Sequence, residues 1–129
     1  MVNSILASRK GHRGQVTADD IKRGNTFDKR GTPLELALRR MFPDYCDIYT
    51  GYDYLIVDDR HAHKSGYMRL TDRLNQWCKD YDNHLEVQPI DITIRYTDER
   101  DKGNRNVFGD TSVLSRDILD YVFTLDIVA

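Results

Sequence analysis

Acid, imidazole and guanidinium groups come together locally in the stretch Asp58-Asp59-Arg60-His61-Ala62-His63, followed at once by Lys64. In an extended chain alternate side chains share a face, so His61 and His63 point the same way and, with Asp58 or Asp59, could approach a divalent ion. A hydrolytic metal centre needs three ligands, an open position and a general base, and no further motif in the chain supplies them. The same stretch has a second use. Arg60, His61, His63 and Lys64 offer donors and positive charge near the rings of Tyr52, Tyr54 and Tyr67, a mixture suited to holding phosphates while a base stacks on tyrosine. The candidate ligand-binding set is therefore Arg60, His61, His63, Lys64, Tyr52 and Tyr67, with no metal among its needs. The plain alternative is a polar hairpin turn with solvated cations and half-buried tyrosines.

Elsewhere the chemistry thins out. Lys22, Arg23, Lys29 and Arg30 gather about Gly24, but no strand precedes them and Walker spacing is absent, so they read as surface charge. Cys78 lies beside Trp77 on the apolar stripe of a predicted helix and Cys46 opens a strand; both read as reduced, semi-buried thiols. No Gly-x-Ser-x-Gly elbow occurs, and the serines fall in turns and caps. These patterns favour binding over catalysis and call for no cofactor.

The elements that would position these groups follow from periodicity. Thr17-Ala-Asp-Asp20 is a helix start with a capping box, and Gly24 is placed to end that helix in a left-handed conformation. Thr32-Pro-Leu-Glu35 starts a second helix, with Glu35 reaching back to the cap and Pro43 ending it near Phe42. Residues 45–50 and 52–58 form a hairpin about Gly51, and 66–70 adds a third strand after the charged turn. Thr71-Asp72 caps a helix whose Leu74, Trp77, Cys78 and Tyr81 recur on one stripe. Ile90, Ile92, Ile94 and Tyr96 alternate with Asp91, Thr93 and Arg95, a strand with one wet face. Residues 97–106 read as a charged loop and 111–117 as a short helix. In 119–127 a strand pattern is preferred over a helical face shared by Leu114, Ile118, Tyr121 and Leu125. The expected fold class is α+β, with an antiparallel sheet of four or five strands and two or three helices on one face. A final strand at the sheet edge would suit pairing with a second copy, so a homo-oligomer is expected as a possibility.

Composition sets the bounds. A chain of 129 residues with 40% hydrophobic and 31% charged residues fits one domain able to bury a core. Residues 1–15, with Arg9, Lys10, His12 and Arg13 among glycines, read as a flexible basic arm. Residues 16–129 read as the single domain, with a core unit at 16–96 and an addition at 97–129. A net charge of −2 and a pI near 6.0 make DNA an unlikely partner. No apolar run approaches the roughly 20 residues a membrane helix needs, and Met1 to Ser8 is unlike a signal peptide, so a cytoplasmic protein is expected.

Taken in order, Val16-Thr-Ala-Asp-Asp-Ile-Lys-Arg-Gly24, Pro33-Leu-Glu-Leu-Ala-Leu-Arg-Arg-Met-Phe-Pro43, the hairpin, Tyr67-Met-Arg-Leu70, Asp80-Tyr-Asp82 and Val87-Gln-Pro89 resemble a group of small phage and prophage proteins. The resemblance spans about residues 16–96, implies a fold and a viral origin, and assigns no functional residues. The function expected for such a chain is that of a non-enzymatic, phage-type accessory binding protein that counters a host defence system. The tyrosine and cation cluster points to sequestration of a nucleotide-type signalling molecule in the host cytoplasm. The alternatives are a protein-protein inhibitor of a host defence or CRISPR component, working through Asp98 to Asp101 or the final strand, and a metal-dependent nuclease or phosphodiesterase using Asp58, His61 and His63.

Overall fold

The structure is a computed structural model and describes residues 4–8, 11–96 and 121–128. Its strands are β1 (Arg13–Val16), β2 (Cys46–Thr50), β3 (Tyr54–Asp59), β4 (Lys64–Leu70), β5 (Ile90–Tyr96) and β6 (Tyr121–Ile127). Its α-helices are α1 (Ala18–Arg23), α2 (Pro33–Met41) and α3 (Asp72–Asp82). Short 3-10 turns occupy Ile5–Ser8 and Phe27–Lys29. Among the described residues no helix is long and apolar enough to cross a membrane.

The class is α+β, but the sheet has six strands in the order β1-β5-β6-β4-β3-β2 and is mixed. Four or five antiparallel strands were expected; the difference lies in β1 and β6. β6 is a strand, as its alternation predicts, yet it lies inside the sheet, antiparallel to β5 and parallel to β4. Leu125 opposes both Leu70 of β4 and Ile94 of β5, so its burial is completed from both sides. The proposed pairing of a second copy on this strand is thereby removed, because both of its edges are already used.

Strand alternation puts Val16, Ile92, Ile94, Phe123, Leu125, Met68, Leu70, Leu55, Val57 and Ile48 on one face, where they join Leu34, Ala37 and Leu38 of α2 and Leu74 of α3 in one core. The opposite face is not uniformly wet, since Tyr67 there is only 3% exposed.

The segment read as a flexible arm is partly built into the fold. Leu6 is fully buried, with its side chain against the space over Gly66, and Arg13–Val16 pairs with β5. Ser4 Oγ and the Ile5 N–H both donate to Asp59.

Helix starts follow local chemistry. Thr17 Oγ1 accepts from Asp20 N at 3.1 Å while Asp20 Oδ2 accepts from Thr17 N at 2.9 Å, the expected capping box. Thr32 caps α2, but Glu35 does not return to it. Its carboxylate accepts instead from Gly31 N at 2.9 Å and Thr50 Oγ1 at 3.1 Å, tying the helix start to β2. Gly24 ends α1 in an extended conformation (φ −66°, ψ 156°) rather than the left-handed one expected. Glycine is required there by crowding, since a Cβ would sit 2.7 Å from the Pro33 ring and from the Asp20 carbonyl oxygen.

Candidate functional site

β3 separates the residues of the sequence-predicted site. Arg60, His61 and His63 occupy the β3–β4 turn with Lys64 opening β4, whereas Tyr52 sits in the β2–β3 turn at the other end of the hairpin. At about 3.3 Å per residue, the intervening strand holds the two ends roughly 20 Å apart. Tyr67 lies between them in mid-strand, opposite Ile56 and Val122. It stacks on Tyr54 at 5.1 Å between ring centroids, and burial pushes its hydroxyl pKa up to about 12. The six residues do not converge on one point.

The turn itself is organised by Asp59, which is fully buried and accepts from Ser4 Oγ, Ile5 N, His61 N and Ala62 N. Burial alone would raise its pKa, but these hydrogen bonds outweigh it and hold the carboxyl below the usual range. Arg60 donates through Nε to the Tyr45 carbonyl oxygen at 2.8 Å and pairs with Asp47 at 3.4 Å. The His61 ring lies flat on Tyr45 at 4.1 Å. His63 is exposed with a left-handed φ of 54°, and Lys64 is exposed. Asp58 accepts from Ser65 Oγ at 3.3 Å. Arginine, histidine and aspartate thus serve the turn's own shape. No group of three or more His, Cys, Asp or Glu side chains that could hold a metal occurs among the described residues.

A different concavity gathers the aromatic surface. It lies between α3, the β2–β3 turn and the start of α2, and encloses about 70 Å³. Its lining includes Leu34, Leu55, Leu70 and Cys78, with Phe27, Tyr52, Trp77, Lys79 and Tyr81 about it. The stripe Trp77, Cys78 and Tyr81, read from sequence as core, is only half-buried and lines this cleft. The Trp77 and Tyr81 rings stack at 6.3 Å with 8° between planes. Their polar atoms are turned to backbone: Trp77 Nε1 donates to the Gln88 carbonyl at 3.0 Å and the Tyr81 hydroxyl to that of Gly24 at 2.6 Å. What remains toward the cleft is apolar ring surface.

The rim carries the charge. Tyr52 is 74% exposed and Phe27 40%. Lys79 Nζ lies over the Tyr52 ring, 5.9 Å from its centroid, a cation–π contact at the rim. Gly51 makes that turn possible, because any Cβ there would meet the Tyr54 ring at 2.2 Å. On the far rim Asp82 accepts from Phe27 N at 3.0 Å and fixes the Phe27 turn against α3. Burial pushes the Cys78 thiol pKa up to about 12, so at neutral pH it is a small apolar surface rather than a thiolate. Sequence reasoning named Tyr52 but missed its neighbours here, because four separate segments build the cleft.

The Asp98 to Asp101 stretch, the predicted loop at 97–106 and the predicted helix at 111–117 lie outside the described residues. No family model matches the chain, and neither a curated protein nor a solved structure matches it.

Proposed function

We infer that the protein works by binding, and that its working surface is the cleft under Tyr52 rather than the Arg60 to Lys64 turn. The observation that carries this reading is a cavity of about 70 Å³ with an apolar lining and two exposed rings at its rim. Sites for nucleotide-sized ligands enclose roughly 300–1,000 Å³. A cavity several times smaller suits one apolar side chain, held as an anchor while flat aromatic rim residues exclude water around it. The occupant is therefore an anchor residue of another protein, and the protein acts as an inhibitor that covers a partner's surface. Phage-type resemblance makes a component of a host defence system the target class. Nucleotide sequestration is the second reading, favoured only by the Lys79 ammonium beside the Tyr52 ring.

The test is capture from host lysate with wild-type protein and four variants. A single stoichiometric partner is expected for wild type, Arg60→Ala and His63→Ala. Tyr52→Ala should lose it, by about 2 kcal/mol or roughly thirtyfold in affinity, and Lys79→Glu should weaken it. Calorimetry with cyclic and ADP-ribose-like nucleotides should give no heat. Heat from one of them, or capture lost in Arg60→Ala but kept in Tyr52→Ala, would overturn the assignment.

A further inference from the structure

The two edges of the sheet are treated differently. On β1, the bonds Gly11 N to Ile94 O and Ile94 N to His12 O fix the ladder so that Gly14 and Val16 bond to β5 and Gln15 faces outward. The outward Gln15 carbonyl accepts from Arg40 Nη2 at 2.9 Å, and Arg40 is itself clamped by Asp20. That edge is covered by a side chain.

On β2, Gly51 N donates to Tyr54 O at one end and Arg60 N to Tyr45 O at the other. Antiparallel alternation then turns the backbone groups of Asp47 and Tyr49 toward β3 and those of Ile48 and Thr50 outward. No strand pairs with that side among the described residues. The strand Cys-Asp-Ile-Tyr-Thr carries no lysine or proline of the kind that blunts exposed edges. Alongside it runs a groove of about 460 Å³ reached by Asp47, Ile48, Tyr49 and Thr50 from the strand and by Arg30, Glu35 and Arg39 from the helix side.

Both carboxylates of this groove are already engaged, Asp47 by Arg60 at 3.4 Å. Glu35 is buried and satisfied by Gly31 and Thr50, so Arg39 meets it only at 3.8 Å. Arg30 has no ion pair among the described residues. Its backbone sits at φ 62°, ψ 167°, a region that is essentially glycine's, and an arginine kept there invites a functional explanation. Two guanidinium groups beside an open strand edge fit carboxylates on a chain laid along it.

We propose that the outer edge of β2 docks an extended acidic segment of a partner protein, which adds as a further strand with its backbone on Ile48 and Thr50 and its carboxylates beside Arg30 and Arg39. The groove meets the Tyr52 cleft at Phe27 and Thr50, which line both. The inference deepens the binding reading and rests on it: one partner segment seats its anchor in the cleft and its flanking chain on β2. Self-pairing of β2 would set arginines of two copies over a shared seam, so a second copy is the weaker occupant.

The test uses the isotopically labelled full chain and three synthetic octapeptides at up to millimolar concentration: alternating glutamate and valine, the same peptide N-methylated at its valine amides, and a lysine-valine counterpart. The acidic peptide should move the amide signals of Ile48 and Thr50. N-methylation, which removes strand-pairing donors, and lysine for glutamate should each weaken binding roughly tenfold or more, about 1.4 kcal/mol. Arg30→Asp with Arg39→Glu should reverse the charge preference while leaving the spectrum otherwise folded. Equal binding of the N-methylated peptide, no shift at millimolar peptide, or concentration-dependent shifts at Ile48 without peptide would overturn the proposal. Trp77, the only tryptophan, separates the two readings. A partner that changes Trp77 emission but leaves the β2 amides unmoved sinks strand docking alone, and the converse sinks the cleft alone.

Discussion

Asp126 offers the sharpest stability prediction. It is 8% exposed in β6 and accepts from Thr71 Oγ1 at 2.6 Å, from Arg73 Nε at 2.8 Å and from Arg95 Nη2 at 2.8 Å. One carboxylate therefore ties the N-cap of α3 to β5 and β6. The Arg73 guanidinium is the largest influence, burial opposes it, and the Thr71 hydroxyl helps; the net result holds the pKa at about 2 against an ordinary 3.8. At about 1.4 kcal/mol per unit of pKa, this preference for the charged form contributes about 2 kcal/mol. Because the folded pKa is the lower one, that stability is fully present above the unfolded value near 4. It is lost as pH falls from about 4 toward 2. Asp126→Asn keeps the shape and removes the charge. Urea denaturation at pH 7 should show the variant about 2 kcal/mol less stable than wild type, with the gap closing near pH 2. A variant as stable as wild type at pH 7, or a gap that persists undiminished at pH 2, would refute the reasoning. Asp20 and Asp59 are also held below their usual range, so some acid destabilisation should remain in the variant.

Other substitutions test separate parts of the fold. Leu6→Ala should cost about 3 kcal/mol in chemical denaturation, since Leu6 is fully buried in the core; a neutral result would return the N-terminal segment to the status of a loose arm. Gly24→Ala should destabilise by about 1–3 kcal/mol, because its Cβ would collide with Pro33 at 2.7 Å, and an unchanged melting temperature would contradict that crowding. Arg30→Gly should stabilise by about 1 kcal/mol by relieving the backbone at φ 62°, measured as a raised denaturation midpoint.

Local chemistry was legible and long-range closure was not. The Thr17 box, the Pro33 helix start and the alternation of Ile90, Ile92 and Ile94 each depend on residues within one turn or one strand, and each is present as read. The pattern of 121–127 shows that Phe123 and Leu125 are buried, but periodicity carries no information about which strands flank them. Only the register with Leu70 and Ile94 places β6 centrally. The Asp59 to Ser4 bond joins residues 55 apart, which no local motif marks. The six candidate site residues lie apart for a related reason. Nearness in sequence is not nearness in space: an extended strand carries Tyr52 away from Arg60, and folding brings it beside Lys79 of α3 instead.

The most direct measurement is the emission of Trp77 as the captured partner is titrated into the protein. Seating an apolar anchor in the cleft should shift that emission to shorter wavelength in wild type and in Arg60→Ala, and the shift should disappear in Tyr52→Ala. A partner that binds stoichiometrically while Trp77 emission stays unchanged would contradict the account.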